Sequence, residues 1–183
     1  LALIHEKSIT NTVQDLAPAL EEGLVTPISE TTDLTTFYKF LHDRVQQAAY
    51  SLIDDSQKPA INLKIGRQLL ANSNETEREE RIFAIVDHLH AGWELITLAT
   101  ENRESAQLNL AAGIKAKDAT AYAAARDYFS TGIGCLTVDM WHDDYELAFN
   151  LHKHLAEAEY LTGNFAGSEE IATSALAHAR SAV

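Results

Sequence analysis

The sequence holds one cysteine, Cys135. A single thiol cannot build a disulfide framework or a thiolate zinc site within one chain, and a reducing, cytoplasmic setting is the simplest expectation. Positive charge is also short. Fourteen Lys and Arg stand against 27 Asp and Glu, for a formal net charge of -13 at pH 7. Nucleic-acid binding needs cations to neutralise phosphate, and an anionic membrane surface repels a chain like this one. Neither is expected as a partner. No apolar run approaches the roughly 20 residues of a membrane-spanning helix, and no signal peptide is expected. The chain opens on "LALIHEKS" without Met and already in an apolar pattern, which reads as a piece cut from a longer protein. Signatures of catalysis are missing as well: there is no Gly-rich phosphate loop, no GxSxG elbow and no HExxH. Proline, at 3, and glycine, at 8, are scarce, so few breakers punctuate the chain.

Alanine and leucine are abundant instead, and both enter helices at little cost. The first fifty residues are mixed. Val13, Leu16 and Leu20 recur at helical spacing, and Gly23 is a stop signal just past the last turn. Pro18 predicts a kink, or a helix that begins near Asp15. "LVTPI" is a short strand candidate whose Pro27 points to an edge. A polar turn, "SETTDLTT", then leads to a second strand candidate, "FYKFL". Helix, strand, polar turn, strand, helix is the order at the end of a winged helix, with the polar turn as the wing.

From Asp43 onward almost everything reads as helix. Leu41, Val45, Ala48 and Leu52 share one face. Ile61, Ile65 and Leu69 give the next stripe, and Ile82, Val86 and Leu89 a third that Gly92 ends. Thr76 followed by Glu79 fits a capping box. Two further pairs of helices follow, "ENRESAQLNLAAGIKAK" with "AYAAARDYFSTGIGCL", then "DDYELAFNLHKHLAEAEYLT" with "FAGSEEIATSALAHAR". Small residues along the second helix of each pair let two helices approach closely, so each pair predicts an antiparallel hairpin.

Residues that can carry chemistry are few. His88-x-His90 and His152-x-His154 point about 200° apart on a helix, so neither pair chelates one ion from one helix. No metal site is expected, and these histidines read as solvated or at an edge. "WHDD", residues 141–144, reads as a loop whose Asp143 or Asp144 caps the next helix. "EREER", residues 77–81, reads as a solvated face with local ion pairs. Cys135 reads as a buried, inert thiol. No catalytic residue is expected in this chain. The triplet His42-Asp43-Arg44 sits where a strand runs into a helix, and it is the candidate site.

The segment "LAEAEYLTGNFAGSEEIATSAL", residues 155–176, resembles a tetratricopeptide repeat, with Gly163 in the turn, Phe165 two residues on, and Ala172 and Ala175 along the second helix. "ATAYAAARDYFSTGI", residues 119–133, matches more loosely through Tyr122, Ala125, Phe129 and Gly132. The spacing from Tyr122 to Phe165 exceeds the standard period of about 34, so the array is expected to be irregular. An all-helical bundle without a superhelix is the alternative. Repeat arrays leave surfaces that bind protein segments, and an acidic surface favours basic or amphipathic ones.

"FYKFLHDRVQQAAYSLI", "ERIFAIVDHL", "AQLNLAAGIKAK" and "AEAEYLTGNF" resemble, in the same order, a stretch of large bacterial signalling proteins. These multidomain kinases join a serine/threonine-kinase domain, a signalling ATPase of the STAND/AAA-like class, sensors and often a histidine kinase. The resemblance implies a mainly α fold: a winged-helix remnant with a small β-hairpin at residues 1–55, then a TPR-like array of antiparallel helical hairpins at 56–183. It implies a non-catalytic regulatory segment with no cofactor of its own, next to an ATPase domain that binds ATP or ADP. Its partners would be the neighbouring ATPase and sensor domains of the same polypeptide, and other proteins. Related ATPases carry a His-Asp at this position, where the histidine contacts the β-phosphate of ADP. By that resemblance His42 senses nucleotide and Asp43 orients the backbone, with Arg44 beside them. A helix N-terminus and an imidazole N–H suit an anion. The alternatives are that Asp43 only caps the helix, and that the chain is a stand-alone TPR-like binding module without a nucleotide role.

Overall fold

The computed structural model describes residues 8–27, 38–137 and 139–179. Ser8 opens the first helix, α1 (Ile9–Glu21), by accepting a hydrogen bond from the Asn11 amide through its hydroxyl at 3.2 Å. The helix starts well before Asp15 and runs through Pro18, which forgoes one hydrogen bond because proline has no N–H. Gly23, at φ +67, then reverses the chain. The Leu24 amide reaches Ala19 O at 2.8 Å and the Gly23 amide reaches Leu20 O at 3.1 Å, the paired closure of a Schellman motif.

Both strand candidates form. Strand β1 (Val25–Pro27) pairs antiparallel with β2 (Tyr38–Phe40), Val25 opposite Phe40 and Pro27 opposite Tyr38. In a sheet of two strands each is an edge, which is where proline is tolerated. The polar turn "SETTDLTT" lies outside the described residues. Helix α2 (Asp43–Ser51) follows β2 directly.

The remaining helices are α3 (Lys58–Ala71), α4 (Glu75–Glu80), α5 (Ile82–Ala91), α6 (Ala99–Asp118), α7 (Tyr122–Gly134), α8 (Met140–Asp143), α9 (Tyr145–Leu161) and α10 (Phe165–Ala177), with a 3-10 turn at Trp93–Leu95. Among the described residues the protein is thus mainly helical with one small antiparallel sheet. Helix α3 packs on α5, α5 on α6, α6 on α7, α7 on α9 and α9 on α10, and α6 also touches α9. Three helical hairpins are therefore stacked in series. The hairpin turns are tight: Thr120 at φ 61 joins α6 to α7, and Gly163 at φ 86 joins α9 to α10.

The core lies between these hairpins. Phe129, Ile85, Leu151 and Val86 are the largest side chains fully withdrawn from solvent, and alanines 106, 112, 125, 148 and 158 surround them. Small residues set the spacing. A Cβ on Gly113 of α6 would stand 2.8 Å from Cζ of Phe129 and closer still to Cε1 and Cδ1, so α6 and α7 approach as closely as they do only because that position lacks a side chain.

Four local readings are corrected. The buried face of α3 is Asn62, Leu63 and Gly66, while Ile61, Ile65 and Leu69 are only half-buried beside it. An asparagine and a glycine on the core face hide the stripe from an apolar count. The capping box is Asn74 with Glu77, not Thr76 with Glu79: Asn74 Oδ1 accepts from the Glu77 amide at 3.0 Å and Glu77 Oε2 accepts from the Asn74 amide at 2.9 Å. The run "EREER" is not laced with local ion pairs among the described residues, because Glu77 is spent on that box and Arg78 Nε donates to Leu70 O and Ser73 O. His152 is buried rather than solvated, held by Nδ1 to Ala148 O at 2.7 Å and covered by Trp141, whose ring centroid is 4.7 Å away.

Candidate functional site

The small sheet sets the position of the His42 triplet. Past the last register pair, the Leu41 amide donates to Leu24 O at 3.0 Å. His42 then sits at the N-cap of α2 with extended angles, φ −140 and ψ 144. Its carbonyl accepts from the Val45 amide at 2.9 Å and the Gln46 amide at 3.3 Å. No side chain caps this helix. Asp43 lies in the first turn rather than at the cap, so its carboxylate stands near the positive end of the helix without closing it.

His42, Asp43 and Arg44 are all exposed, and none has a side-chain hydrogen bond or ion pair among the described residues. The structure brings them together only as chain neighbours. What they present outward is an imidazole, a guanidinium and the two amides of Asp43 and Arg44, which find no acceptor among the described residues. Such a set can take a phosphate oxygen offered from outside. The Asp43 carboxylate opposes an anion there and suits a cation or a donor alongside it.

The same region leaves apolar surface in the open. Helix α2 buries no residue, and Leu52, on the face read as its apolar stripe, is 87% exposed. Leu24, Phe40, Leu41 and Tyr50 are also exposed large side chains. The link to the helical array runs through Tyr50, whose ring lies under the Lys58 ammonium at 5.0 Å and whose hydroxyl accepts from Asn62 Nδ2 at 2.9 Å. Asn62 also donates to Lys58 O at 2.8 Å, and its Oδ1 faces His88 Nδ1 at 2.8 Å. Since the amide's donors are both used, His88 must donate from Nδ1. Burial holds the His88 pKa below the usual histidine range. Sequence reading missed this polar joint. Its one visible signal was an asparagine four residues into a helix opened by Lys58 and Pro59.

Other titratable groups are placed by the array. Burial first, then the Lys117 cation, lowers the His154 pKa, and His154 stacks on Phe129 at 5.4 Å. Lys117 bonds Glu157 at 2.7 Å and holds that carboxyl below its ordinary value. Burial pushes the Cys135 thiol up. Asp144 occupies the N-cap of α9, but its carboxylate pairs with Arg103 instead of capping. Among the described residues no group of three or more His, Cys, Asp or Glu side chains is arranged to hold a metal ion, and no helix is long and apolar enough to cross a membrane.

No family model and no solved structure matches the chain. A curated protein does: the hybrid signal transduction histidine kinase G of Dictyostelium discoideum is 29% identical over 167 residues. The chain is distantly similar to a hybrid histidine kinase. The match covers 78% of this chain and spans 5% of that relative's length.

Proposed function

We propose that this chain is a non-catalytic regulatory segment of a multidomain signal-transduction kinase. It couples the nucleotide state of an adjacent ATPase domain to sensor and kinase domains, and it offers surfaces for protein docking. The observation that carries the reading is the similarity to a hybrid histidine kinase across 78% of the chain. The exposed, uncapped entrance to α2 supports it. In this reading residues 1–55 are the winged-helix end of the ATPase, and residues 56–183 are a TPR-like array that relays its state. His42 contacts the phosphate of ADP held by the neighbouring domain, with Arg44 as a second donor and Asp43 orienting the turn. The chain itself binds no nucleotide alone and acts in the cytoplasm.

A second reading has its own support. The three hairpins stack in series on their own core, as a stand-alone TPR-like binding module would, with no nucleotide role. The two readings separate in a longer polypeptide that includes the nucleotide-binding domain. There, His42→Ala weakens ADP binding about tenfold if His42 contributes one charge-assisted hydrogen bond to phosphate. Unchanged ADP affinity and unchanged basal kinase activity would leave the docking module as the better account.

A further inference from the structure

We propose that the cavity between α5, α6 and α7 binds a cationic side chain, a guanidinium or ammonium carried by a partner polypeptide. The cavity measures about 270 Å³ and its polar lining comprises Asp87, His90, Asn109, Asp127, Tyr128 and Thr131. Tyr128 is held by the fold and Asp87 is tied to it, while Asp87, His90 and Asp127 are exposed to solvent. Tyr128 stacks on Phe83 with ring centroids 5.6 Å apart, and its hydroxyl donates to Asp87 Oδ1 at 3.2 Å. Burial and the Asp87 charge push the Tyr128 pKa up to about 12, so the phenol keeps the proton it donates. Asp87 has no cationic partner among the described residues. Arg126 takes one oxygen of Asp127, with Nη2 and Nε at 2.9 and 3.1 Å from Oδ1, and leaves Oδ2.

Asn109 supplies the independent observation. It is only 4% exposed. Its Nδ2 is tied to Ser105 O at 2.9 Å, while its Oδ1 has no partner among the described residues. One N–H of this nearly buried amide is thus used, and its unpartnered oxygen belongs to a residue that lines the cavity. Two carboxylates and an amide oxygen thus line one space, in which the Tyr128 hydroxyl is already committed to Asp87. A ligand that brings N–H donors and positive charge fits such a site, and an anion does not.

The floor extends toward an apolar end. His90, Asn109 and Thr131 also line the adjoining cleft, which reaches Ile96 and Trp93. Trp93 is 49% exposed. A segment that places its cation at Asp87 and Asp127 therefore meets apolar surface at Trp93 in the adjoining cleft. The net charge of -13 favours approach of such a segment. The inference rests on the docking part of the reading above and not on its nucleotide part.

The test is a titration of the 183-residue chain with the peptide acetyl-Gly-Arg-Gly-Leu-Gly-amide, followed by amide chemical shifts. Citrulline in place of arginine gives the neutral isostere, and butylguanidinium gives the free cation. Shifts are expected around residues 86–93, 109 and 124–131. Binding should weaken about tenfold for the citrulline peptide and for each of Asp87→Asn and Asp127→Asn. Glu169→Gln, on α10, should leave it unchanged. Equal binding of the citrulline peptide, no loss in the two aspartate variants, shifts elsewhere, or no binding at millimolar peptide would each overturn the proposal. Butylguanidinium binding as tightly as the peptide would overturn the polypeptide part. His42→Ala should leave peptide binding intact, so failure of nucleotide sensing is read separately.

Discussion

Gly113→Ala adds one methyl group to the most crowded helix contact in the array. The new Cβ meets the edge of Phe129, a ring with no exposed surface and no room to turn. Overpacking a close-packed core costs about 1–3 kcal/mol, and a rigid, fully enclosed ring puts this site at the upper end. Replacing a mid-helix glycine returns roughly 1 kcal/mol through helix propensity. The net is a loss of about 2 kcal/mol, a fall of some 4–8 °C in Tm for a chain of this size. Gly134→Ala is the internal control. It lies on α7, and its Cβ would meet nothing within 4 Å, so only the propensity gain of a few tenths of a kcal/mol remains. Thermal unfolding followed by far-ultraviolet circular dichroism should therefore move in opposite directions for the same substitution on neighbouring helices. A Tm for Gly113→Ala equal to or above that of Gly134→Ala would refute the α6–α7 packing described here.

Mild acid should weaken the array through two of its histidines. His88 and His154 have folded-state pKa values below their ordinary 6.5, so the folded state binds fewer protons than the unfolded one, and stability present above pH 6.5 declines as pH falls below it. Urea unfolding at pH 8, 6.5 and 5.5 should show that decline, and the double variant His88→Gln, His154→Gln should flatten it. Asn62→Ala removes the partner of Tyr50 and His88 together; a loss of about 1–3 kcal/mol is expected, read as a lower urea midpoint with an unchanged slope. In the same assay Tyr50→Phe should cost less than about 0.5 kcal/mol, because Tyr50 is exposed and water can replace the lost hydroxyl as acceptor for Asn62 Nδ2.

The helices of the array were legible because their apolar residues recur at helical spacing and few breakers interrupt them. Ile82, Val86 and Leu89 mark α5 with its core face and Gly92 its end, and the two strand candidates around the polar turn pair as their patterns imply. Reading failed where polarity and burial part company. Asn62 and Asn109 are nearly buried, each donating from Nδ2 to a backbone carbonyl inside its own helix, and no composition rule announces that. Pro18 did not delay the start of α1 to near Asp15, because a single missing hydrogen bond leaves the turns before it intact. At the candidate site the sequence showed which residues adjoin, but not that His42 takes the cap position and leaves the helix uncapped. The cavity at Asp87 and Asp127 was invisible because its residues come from three helices separated by long stretches of chain.

The central claim, that the entrance to α2 senses nucleotide for a kinase, is tested most directly by hydrogen exchange in a longer polypeptide that contains the nucleotide-binding domain. With ADP, the amides of residues 41–46 should exchange more slowly in the wild type, and His42→Ala should remove that protection while leaving α6 and α7 unchanged. Exchange at residues 41–46 that is the same with and without ADP would contradict the claim.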